Sequence, residues 1–299
     1  MKLLIRNELA VNVGRASARQ IGLKADLQSG IKYTGSITAY LDGIGLLGPG
    51  LDNWLAARPI LAGAAAYESR PLVVAAPQSL PPAERRRTGL VVRIALAVAQ
   101  QAIAAGQLDA KQLATVFSSS GADNDNCDAL CKVLATEDRH ISPTRFHNSV
   151  HNAPAGYWGI ASGAMTPATV LCAHDGSFGA GLLEALTQVT VEGWGTLLIA
   201  YDMPYPESLH AKRPLPAAFG IALALMPERS AHSLARIELS LVDTAPDALA
   251  DPALEALRLA IPAARGLPLL QAVAREEACR VVLDYLEPLR LAVAVELCP

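Results

Sequence analysis

Apolar residues recur along the chain with two different periodicities, separated by polar, glycine-rich or proline-rich turns. Continuous or alternating apolar stretches predict strands at 33–41, 113–118, 168–173, 196–200, 217–226, 235–242 and 291–297. Apolar residues spaced three and four apart predict helices at 51–62, 88–105, 123–136, 179–190, 253–261 and 267–289. Because helices follow most of the strands, the pattern predicts one layered α/β domain, in which helices cover both faces of a mainly parallel or mixed sheet.

The composition supports a globular domain with a large core. Hydrophobic residues make up 52% of the 299 residues and charged residues 18%, a balance that also favours a buried interface. The net charge of -3 argues against a nucleic-acid partner, and the basic cluster Arg85–Arg87 is expected to cap a loop or hold a carboxylate. No apolar run is long enough to span a bilayer, so no membrane span is expected.

The N-terminal sequence and the cysteines bear on the location of the protein. The first residues, MKLLIRNELAVNVGR, lack a long apolar stretch and a small-residue cleavage site, so no secretory signal is predicted. Five cysteines, an odd number without the spacing of a disulfide framework, favour a reduced cytoplasmic protein. Cys127 and Cys131 lie four apart on a predicted helix, with no second cysteine pair to complete a zinc site, and no cofactor is expected.

A glycine-rich segment, Gly43–Gly48, follows the first predicted strand and matches the G-x-G-x-x-G pattern of dinucleotide-binding sites. In those sites the third glycine lies within a helix whose N-terminus faces the pyrophosphate. Here Pro49 and Gly50 follow at once and would break that helix. We therefore predict a glycine-rich turn without a ligand.

Two histidines four residues apart, His147 and His151, lie in the segment Phe146–Asn152. On one helix they would share a face and could bind a metal, with His174 or Asp175 as a third ligand. Prolines on both sides of the segment argue against a long regular helix. The histidines are therefore predicted to line a cleft or an interface, and no metal site is expected.

The segment His174–Ser177 lies where a predicted strand passes into a helix, a typical location for a catalytic nucleophile. It departs from the G-x-S-x-G pattern of hydrolases because Asp175 stands two residues before Ser177. A serine hydrolase built from Ser177, His174 and Asp175 is disfavoured, because sequence neighbours rarely face each other across a triad. Cys172 is expected to be buried in the sheet with a raised pKa, which disfavours it as a nucleophile.

The segment Pro167–Ala185, PATVLCAHDGSFGAGLLEA, together with Asn152–Gly156 upstream, resembles the nucleophile region of the β-ketoacyl synthases, the condensing enzymes of fatty acid and polyketide synthesis. In that family a strand ends in a cysteine, and the following helix points its N-terminus at the sulfur. Aligning Ala155–Gly156 with the family's Ala-Gly, and Pro167 with its Gly-Pro, requires no gap. The cysteine position then falls on Asp175, so the resemblance implies a ketosynthase body without its nucleophile.

The likeness extends from about Ile37 to about Met226. It implies a thiolase-like layered α/β fold in which the N-terminal half is complete and the C-terminal half is abbreviated. Residues 31–299 would form this domain, whereas residues 1–30 fall outside the likeness and are expected to be an extension, an early start or a disordered arm. The family's two catalytic histidines lie in an H-G-T-x-T motif and ahead of an N-S-x-x-F-G-G-x-N loop, and neither motif occurs here.

Condensation needs a thiolate to hold the acyl chain and imidazoles to drive decarboxylation of the malonyl unit. The resemblance therefore implies a non-catalytic subunit similar to the chain-length factors of type II polyketide and fatty acid synthases, of the aryl-polyene type. Its expected partners are an active ketosynthase in a heterodimer, or a second copy in a homodimer, and acyl carrier protein. The resemblance also implies pocket positions for four residues: His147, His151, Asn152 and Phe178.

An independent acyl-thioester enzyme on the same scaffold is the alternative. It would be an acyltransferase, a decarboxylase or a thioesterase that uses Asp175, His174 and His147 as acid–base groups, with Ser177 as a further candidate. A carboxylate at a helix N-terminus stays anionic and could act as a general base toward water. Whether the chain is active alone is therefore left open by the sequence.

Overall fold

The computed structural model describes residues 37–299. The predicted N-terminal extension, residues 1–30, and the start of the first predicted strand lie outside the described residues. The strands are β1 Ile37–Leu47, β2 Ala114–Ser118, β3 Ala168–Leu171, β4 Thr196–Asp202, β5 Phe219–Met226, β6 Ala235–Val242, β7 Cys279–Leu283 and β8 Arg290–Leu297. The helices are α1 Trp54–Leu61, α2 Pro82–Arg85, α3 Leu90–Gly106, α4 Asn124–Leu134, α5 Pro143–Asn148, α6 Ala153–Ser162, α7 Ser177–Thr187, α8 Glu207–His210, α9 Pro252–Ala260 and α10 Leu267–Arg275.

The strands form one eight-stranded sheet in the order β3-β2-β4-β5-β1-β6-β8-β7. Strand β2 pairs in parallel with β3 and with β4. The remaining pairings between these eight strands are antiparallel. The mixed sheet is as predicted, but its parallel part is smaller than the alternation of strands and helices indicated. The connections from β4 to β5 and from β7 to β8 return without a long crossover helix, and such returns give antiparallel neighbours.

Helices cover both faces of the sheet, and β4 shows how one strand serves both. Leu198 packs in the apolar cluster that includes residues of α1, α7 and α10. Leu197 and Ile199 point the other way, into the cluster formed with α3 and α6. Because successive side chains of a strand point to opposite faces, a strand buried on both sides is apolar along most of its length, as the run Leu197–Ala200 is. Among residues 37–299 no helix has the length and apolar character needed to cross a membrane.

Strand β1 runs unbroken through the first part of the glycine-rich segment, and α3 packs directly on its backbone. A Cβ added to Gly43 would lie 2.1 Å from a carbonyl oxygen of α3, and one added to Gly45 would lie 1.9 Å from another. The two glycines therefore permit a close approach of helix to strand that no other residue would allow. This is their physical role, and it requires no ligand.

The predicted turn over Gly43–Gly48 is wrong in position, because it begins later. Gly48 and Leu51 exchange backbone hydrogen bonds of 2.9 and 3.0 Å, and Gly50 between them has a left-handed φ of 67°. The nearby proline-rich loop is closed by Arg85, which donates to the carbonyl oxygens of Gln78 and Leu80. That contact confirms the prediction of a loop cap for one arginine of the basic cluster.

The predicted helix at 267–289 is also wrong in extent. Helix α10 ends at Arg275, and Glu276 follows with a left-handed φ of 54°. Residues 279–283 instead form the edge strand β7, which pairs with β8. A short apolar run satisfies either periodicity, and here the hydrogen bonds available along β8 decide in favour of a strand.

Replacing Gly45 by alanine is expected to lower the free energy of unfolding by about 3 kcal/mol or more, because the new methyl group collides with a backbone carbonyl and must push α3 off β1. The matched control is Gly156→Ala, at an exposed position inside α6 where an added Cβ meets nothing within 4 Å. Alanine there should raise stability by about 0.5–1 kcal/mol. Urea denaturation measures both changes, and similar small effects at the two sites would contradict the close approach.

Candidate functional site

The elbow predicted around Asp175 lies at the carboxyl end of the parallel strands. Strand β3 ends at Leu171, a turn of 3-10 helix covers His174–Gly176, and α7 begins at Ser177. The strand, turn and helix that the sequence predicted are therefore present. Ligand sites of α/β proteins form at this edge of the sheet, so it is the natural place to look for chemistry.

The elbow is held in shape by its own backbone and by the hydroxyl of Ser177. His174 has a left-handed φ of 51°, an unusual conformation for a residue other than glycine. Ser177 Oγ donates to the carbonyl oxygen of His174 at 2.7 Å and accepts from the backbone N–H of Ala173 at 3.1 Å. Because both bonds close the turn, the hydroxyl is committed to structure and is not available as a nucleophile in this geometry.

The β7–β8 connection packs against the first turn of α7. A Cβ added to Gly179 would lie 2.5 Å from the carbonyl oxygen of Asp284, and one added to Gly176 would lie 3.1 Å from that of Tyr285. The two glycines thus bring a C-terminal segment up to the elbow. The structure therefore adds a neighbour that the sequence could not reveal.

Asp175 is a half-exposed carboxylate held between two arginines. Its Oδ1 accepts from Arg213 Nη2 at 2.7 Å, and its Oδ2 lies 3.5 Å from Arg265 Nη2. Burial pushes the pKa of Asp175 upward, but the hydrogen bond and charge of Arg213, with Arg265 and His174, more than offset it and hold the pKa below its usual value. The residue is therefore a fixed anion.

His174 is mostly exposed, and its Nε2 lies 2.7 Å from Arg213 Nη1. Because a guanidinium can only donate, Nε2 accepts and the proton of the neutral ring is on Nδ1, 3.5 Å from Asp175 Oδ1. The ring nitrogen that a general base would use is therefore already occupied by Arg213.

A second buried carboxylate, Asp202 at the end of β4, was not singled out by the sequence analysis. Its Oδ1 accepts from the backbone N–H and the hydroxyl of Ser120 at 2.8 and 2.6 Å, and its Oδ2 accepts from the backbone N–H of Ala263 at 2.8 Å. Burial is the main cause that raises the pKa of Asp202 to about 6. An acidic residue that closes an otherwise apolar strand, as in TLLIAYD, is the signal that could have found it.

The predicted pocket histidines do not share a helix. His147 lies on α5 and its ring centroid is 6.2 Å from that of Tyr157, whereas His151 lies in the turn before α6. Burial lowers the pKa of His151, and its Nε2 is buried without a hydrogen-bond partner in the described part of the chain. No hydrogen bond or ion pair within residues 37–299 joins either histidine to Asp175.

The other predicted positions are divided between surface and core. Asn152 is exposed at the start of α6, and Phe178 is fully buried on α7. The ring of Phe178 packs against Gly266, where an added Cβ would lie 2.4 Å from it. In the part of the chain that the structure describes, no group of three or more His, Cys, Asp and Glu side chains could hold a metal ion.

The prediction that Cys172 is buried in the sheet is wrong. Cys172 is exposed, with Sγ 3.3 Å from the carbonyl oxygen of Ser120. The physical reason is that β3 ends at Leu171, so Cys172 lies in the turn beyond the strand, and β3 is one of the two edge strands of the described sheet. At an edge the outer side of a strand has no neighbour to cover it.

Residues 60–281 match the family model described as Beta-ketoacyl synthase, N-terminal domain. The chain belongs to this family. The family that the sequence resemblance pointed to is thereby confirmed. Among curated proteins none matches the chain.

Solved structures of ketosynthases have a similar fold. A ketosynthase (ApeO) in complex with its chain length factor (ApeC) from Xenorhabdus doucetiae gives a TM-score of 0.65 at 23% identity, covering 86% of this chain and 99% of that chain. The ishigamide ketosynthase/chain length factor gives 0.61 at 15% identity, covering 88% and 100%. The complex AntDE:AntF, a type II acyl-carrier protein with its ketosynthase bound to the hexaketide, gives 0.65 at 12% identity, covering 88% and 100%. The predicted thiolase-like α/β fold is confirmed.

The raised pKa of Asp202 predicts how the free energy of unfolding changes with pH. Its folded pKa of about 6 lies above the ordinary value of 3.8, so this group stabilises the fold fully below pH 3.8 and the contribution is lost as the pH rises through 6. The loss amounts to about 3 kcal/mol. In the Asp202→Asn protein this loss of stability with rising pH should be absent, as measured by urea unfolding between pH 4 and pH 7.

The control for that experiment is Asp175→Asn, because the pKa of Asp175 is shifted in the opposite direction. The stability that Asp175 supplies is present above pH 3.8 and is lost as the pH falls through its lowered folded pKa. An Asp202→Asn protein with the same dependence on pH as the parent chain would show that this carboxylate is not the titrating group.

Proposed function

We propose that the protein is a non-catalytic ketosynthase-like subunit that pairs with an active ketosynthase and shapes the pocket for the acyl chain. The observation that carries the proposal is the ion-paired carboxylate of Asp175 at the position that the sequence resemblance assigns to the nucleophilic cysteine. The chain belongs to the β-ketoacyl synthase family. An aspartate where the resemblance expects the cysteine leaves the elbow without a nucleophile for acyl transfer.

The environment of Asp175 argues against covalent catalysis. An acyl group on a carboxylate would be a mixed anhydride, which is less stable than the thioester that would donate it. The nearest thiol in sequence is the exposed Cys172, which lies before the turn and not at the tip of α7. His174, the imidazole beside Asp175, has its Nε2 bonded by Arg213. These groups therefore provide neither a nucleophile at the elbow that could hold the acyl group nor an imidazole nitrogen that is free to act as a base.

An exposed apolar segment supports pairing with another subunit. Among the strands of residues 37–299, β3 lies at the edge of the sheet, so its outer side is the place where a further strand could pair. The segment that runs from α5 to β3 also carries exposed apolar side chains: Phe146, Val150, Ile160 and Met165. Large apolar side chains grouped beside a free strand edge are typical of a subunit interface. The similar structures of a ketosynthase with its chain length factor favour a ketosynthase as the partner.

His151 is the best supported of the predicted pocket residues. Its buried Nε2 has no hydrogen-bond partner within residues 37–299, and buried polar atoms normally have one. A group from the partner subunit or from the acyl chain would supply that partner. His147 and Asn152 are exposed on the same segment, so they belong to the proposed interface. We assign the buried Phe178 to the packing that shapes the elbow.

Acyl carrier protein is proposed as a second partner because the similar AntDE:AntF structure is a carrier protein with its ketosynthase. The five free cysteines fit a cytoplasmic location. The assignment to an aryl-polyene-type polyketide or fatty acid synthase follows the sequence resemblance. An independent acyl-thioester enzyme has less support, because Ser177 Oγ and His174 Nε2 are both engaged.

The lone chain is expected to show no turnover of acyl or malonyl carrier thioesters, because it offers no free nucleophile at the elbow. Co-expression with an active ketosynthase of a type II synthase should give a stable heterodimer, measured by size and by product analysis. A heterodimer that contains Asp175→Asn should still make product. Turnover by the lone chain that disappears in Asp175→Asn would overturn the proposal.

Met165→Lys is expected to weaken pairing with the ketosynthase by tenfold or more, because it places a charge in the apolar segment next to β3. The matched control is Val73→Lys, since Val73 is 87% exposed and Met165 is 97% exposed, but Val73 lies far from β3 in sequence. Analytical ultracentrifugation of mixtures gives both dissociation constants. Equal effects of the two substitutions would exclude this segment as the interface.

A further inference from the structure

Six charged side chains of alternating sign run from the elbow to α9. In order they are Arg213, Asp175, Arg265, Asp284, Arg258 and Glu255, and we call this set the elbow charge chain. Beyond Asp175, its contacts are Arg265 to Asp284 at 3.2 Å, Asp284 to Arg258 at 2.5 Å and Arg258 to Glu255 at 2.7 Å. The elbow charge chain links five separate segments of the protein through contacts between side chains.

The elbow charge chain is balanced, with three cations and three anions. Arg258 is almost fully buried, and Asp284 and Glu255 are largely so, which means that each charge needs its partner. Asp175 is the anion between Arg213 and Arg265. If it were neutral, Arg213 would lose its ion pair and would keep, among the described residues, the ring nitrogen of His174, the face of Tyr205 with its ring centroid 5.8 Å away, and the longer-range attraction of Asp202.

Arg213 belongs to the connection between β4 and β5, which crosses the carboxyl ends of the parallel strands. This connection is fixed at two other points. The Tyr205 hydroxyl lies 2.8 Å from where a Cβ on Gly121 would be, and Ser208 Oγ donates to Asp128 on α4 at 2.6 Å. The bond from Arg213 to Asp175 is the contact that ties the same connection to the start of α7.

We propose that Asp175 is a positioning residue whose negative charge is required to hold Arg213, and with it residues 203–218, against the elbow. The inference rests on the proposed function only in taking position 175 as the former nucleophile position. In this view the carboxylate of Asp175 takes the place of a reactive thiol and serves as a permanent counter-ion for Arg213 and Arg265. The two arginines make position 175 selective for an anion, whichever residue supplies it.

A cysteine placed at position 175 tests the selectivity directly. In Asp175→Cys the thiol should ionise at least one pKa unit below an ordinary cysteine, which gives about tenfold more thiolate at neutral pH. Pulse alkylation with iodoacetamide across a pH series, followed by mass spectrometry, measures this. The exposed native Cys172 lies three residues away and is the internal comparator. Adding Arg213→Gln should return the new thiol toward the behaviour of Cys172, whereas Arg213→Lys should preserve most of the shift.

A double-mutant cycle tests the coupling without a new thiol. Asp175→Asn and Arg213→Gln should be non-additive in urea unfolding, with a coupling of about three- to tenfold in the unfolding equilibrium constant for this partly exposed pair. Asp175→Glu, which keeps the charge, should restore most of the loss. Additive effects, together with a thiol at 175 that titrates like Cys172 whether or not Arg213 is present, would overturn the proposal. These readouts need no ketosynthase, so their failure is distinguishable from failure of the proposed function.

Discussion

The ion pairs of Asp175, in the turn just before α7, join the elbow to segments that lie far from it in the sequence. Two guanidinium groups meet Asp175, one from the β4–β5 connection and one from the turn before α10. Their attraction outweighs the cost of partial burial and keeps the pKa of the carboxylate low. Segments distant in sequence are thereby joined at the carboxyl end of the parallel strands.

Close packing at a few glycines maintains the ketosynthase-like fold around the elbow. Glycines in β1 allow α3 to pack directly on the strand, and glycines at the start of α7 allow the β7–β8 connection to approach. The fold depends on this close packing. Asp175, at the position that the sequence resemblance assigns to the nucleophile, belongs to a balanced set of charges. The contacts of that set reach as far as α9.

Sequence reasoning succeeded where a local pattern had one physical solution. Strand β6 was predicted with its observed bounds because its apolar and polar residues alternate from Ala235 to Leu241, a pattern that fits a strand buried on one face. It failed where the pattern had two solutions. Residues 279–283 continue a helical spacing but pair with β8, and Cys172 looked like a core residue although β3 is an edge strand. The local sequence pattern predicts neither which strand a segment pairs with nor where that strand lies in the sheet.

By itself the sequence determined the α/β class, the succession of most elements, the family and the presence of an aspartate where a strand passes into a helix. These depend on residues near one another in the chain, whose periodicity and motifs are preserved whatever the chain does elsewhere. Only the tertiary structure decided the partners of that aspartate, the burial of Asp202 beneath Ser120 and Ala263, and the engagement of His174 by Arg213. Such contacts join segments tens of residues apart, and electrostatic and hydrogen-bond energies depend on distances that only the folded chain fixes.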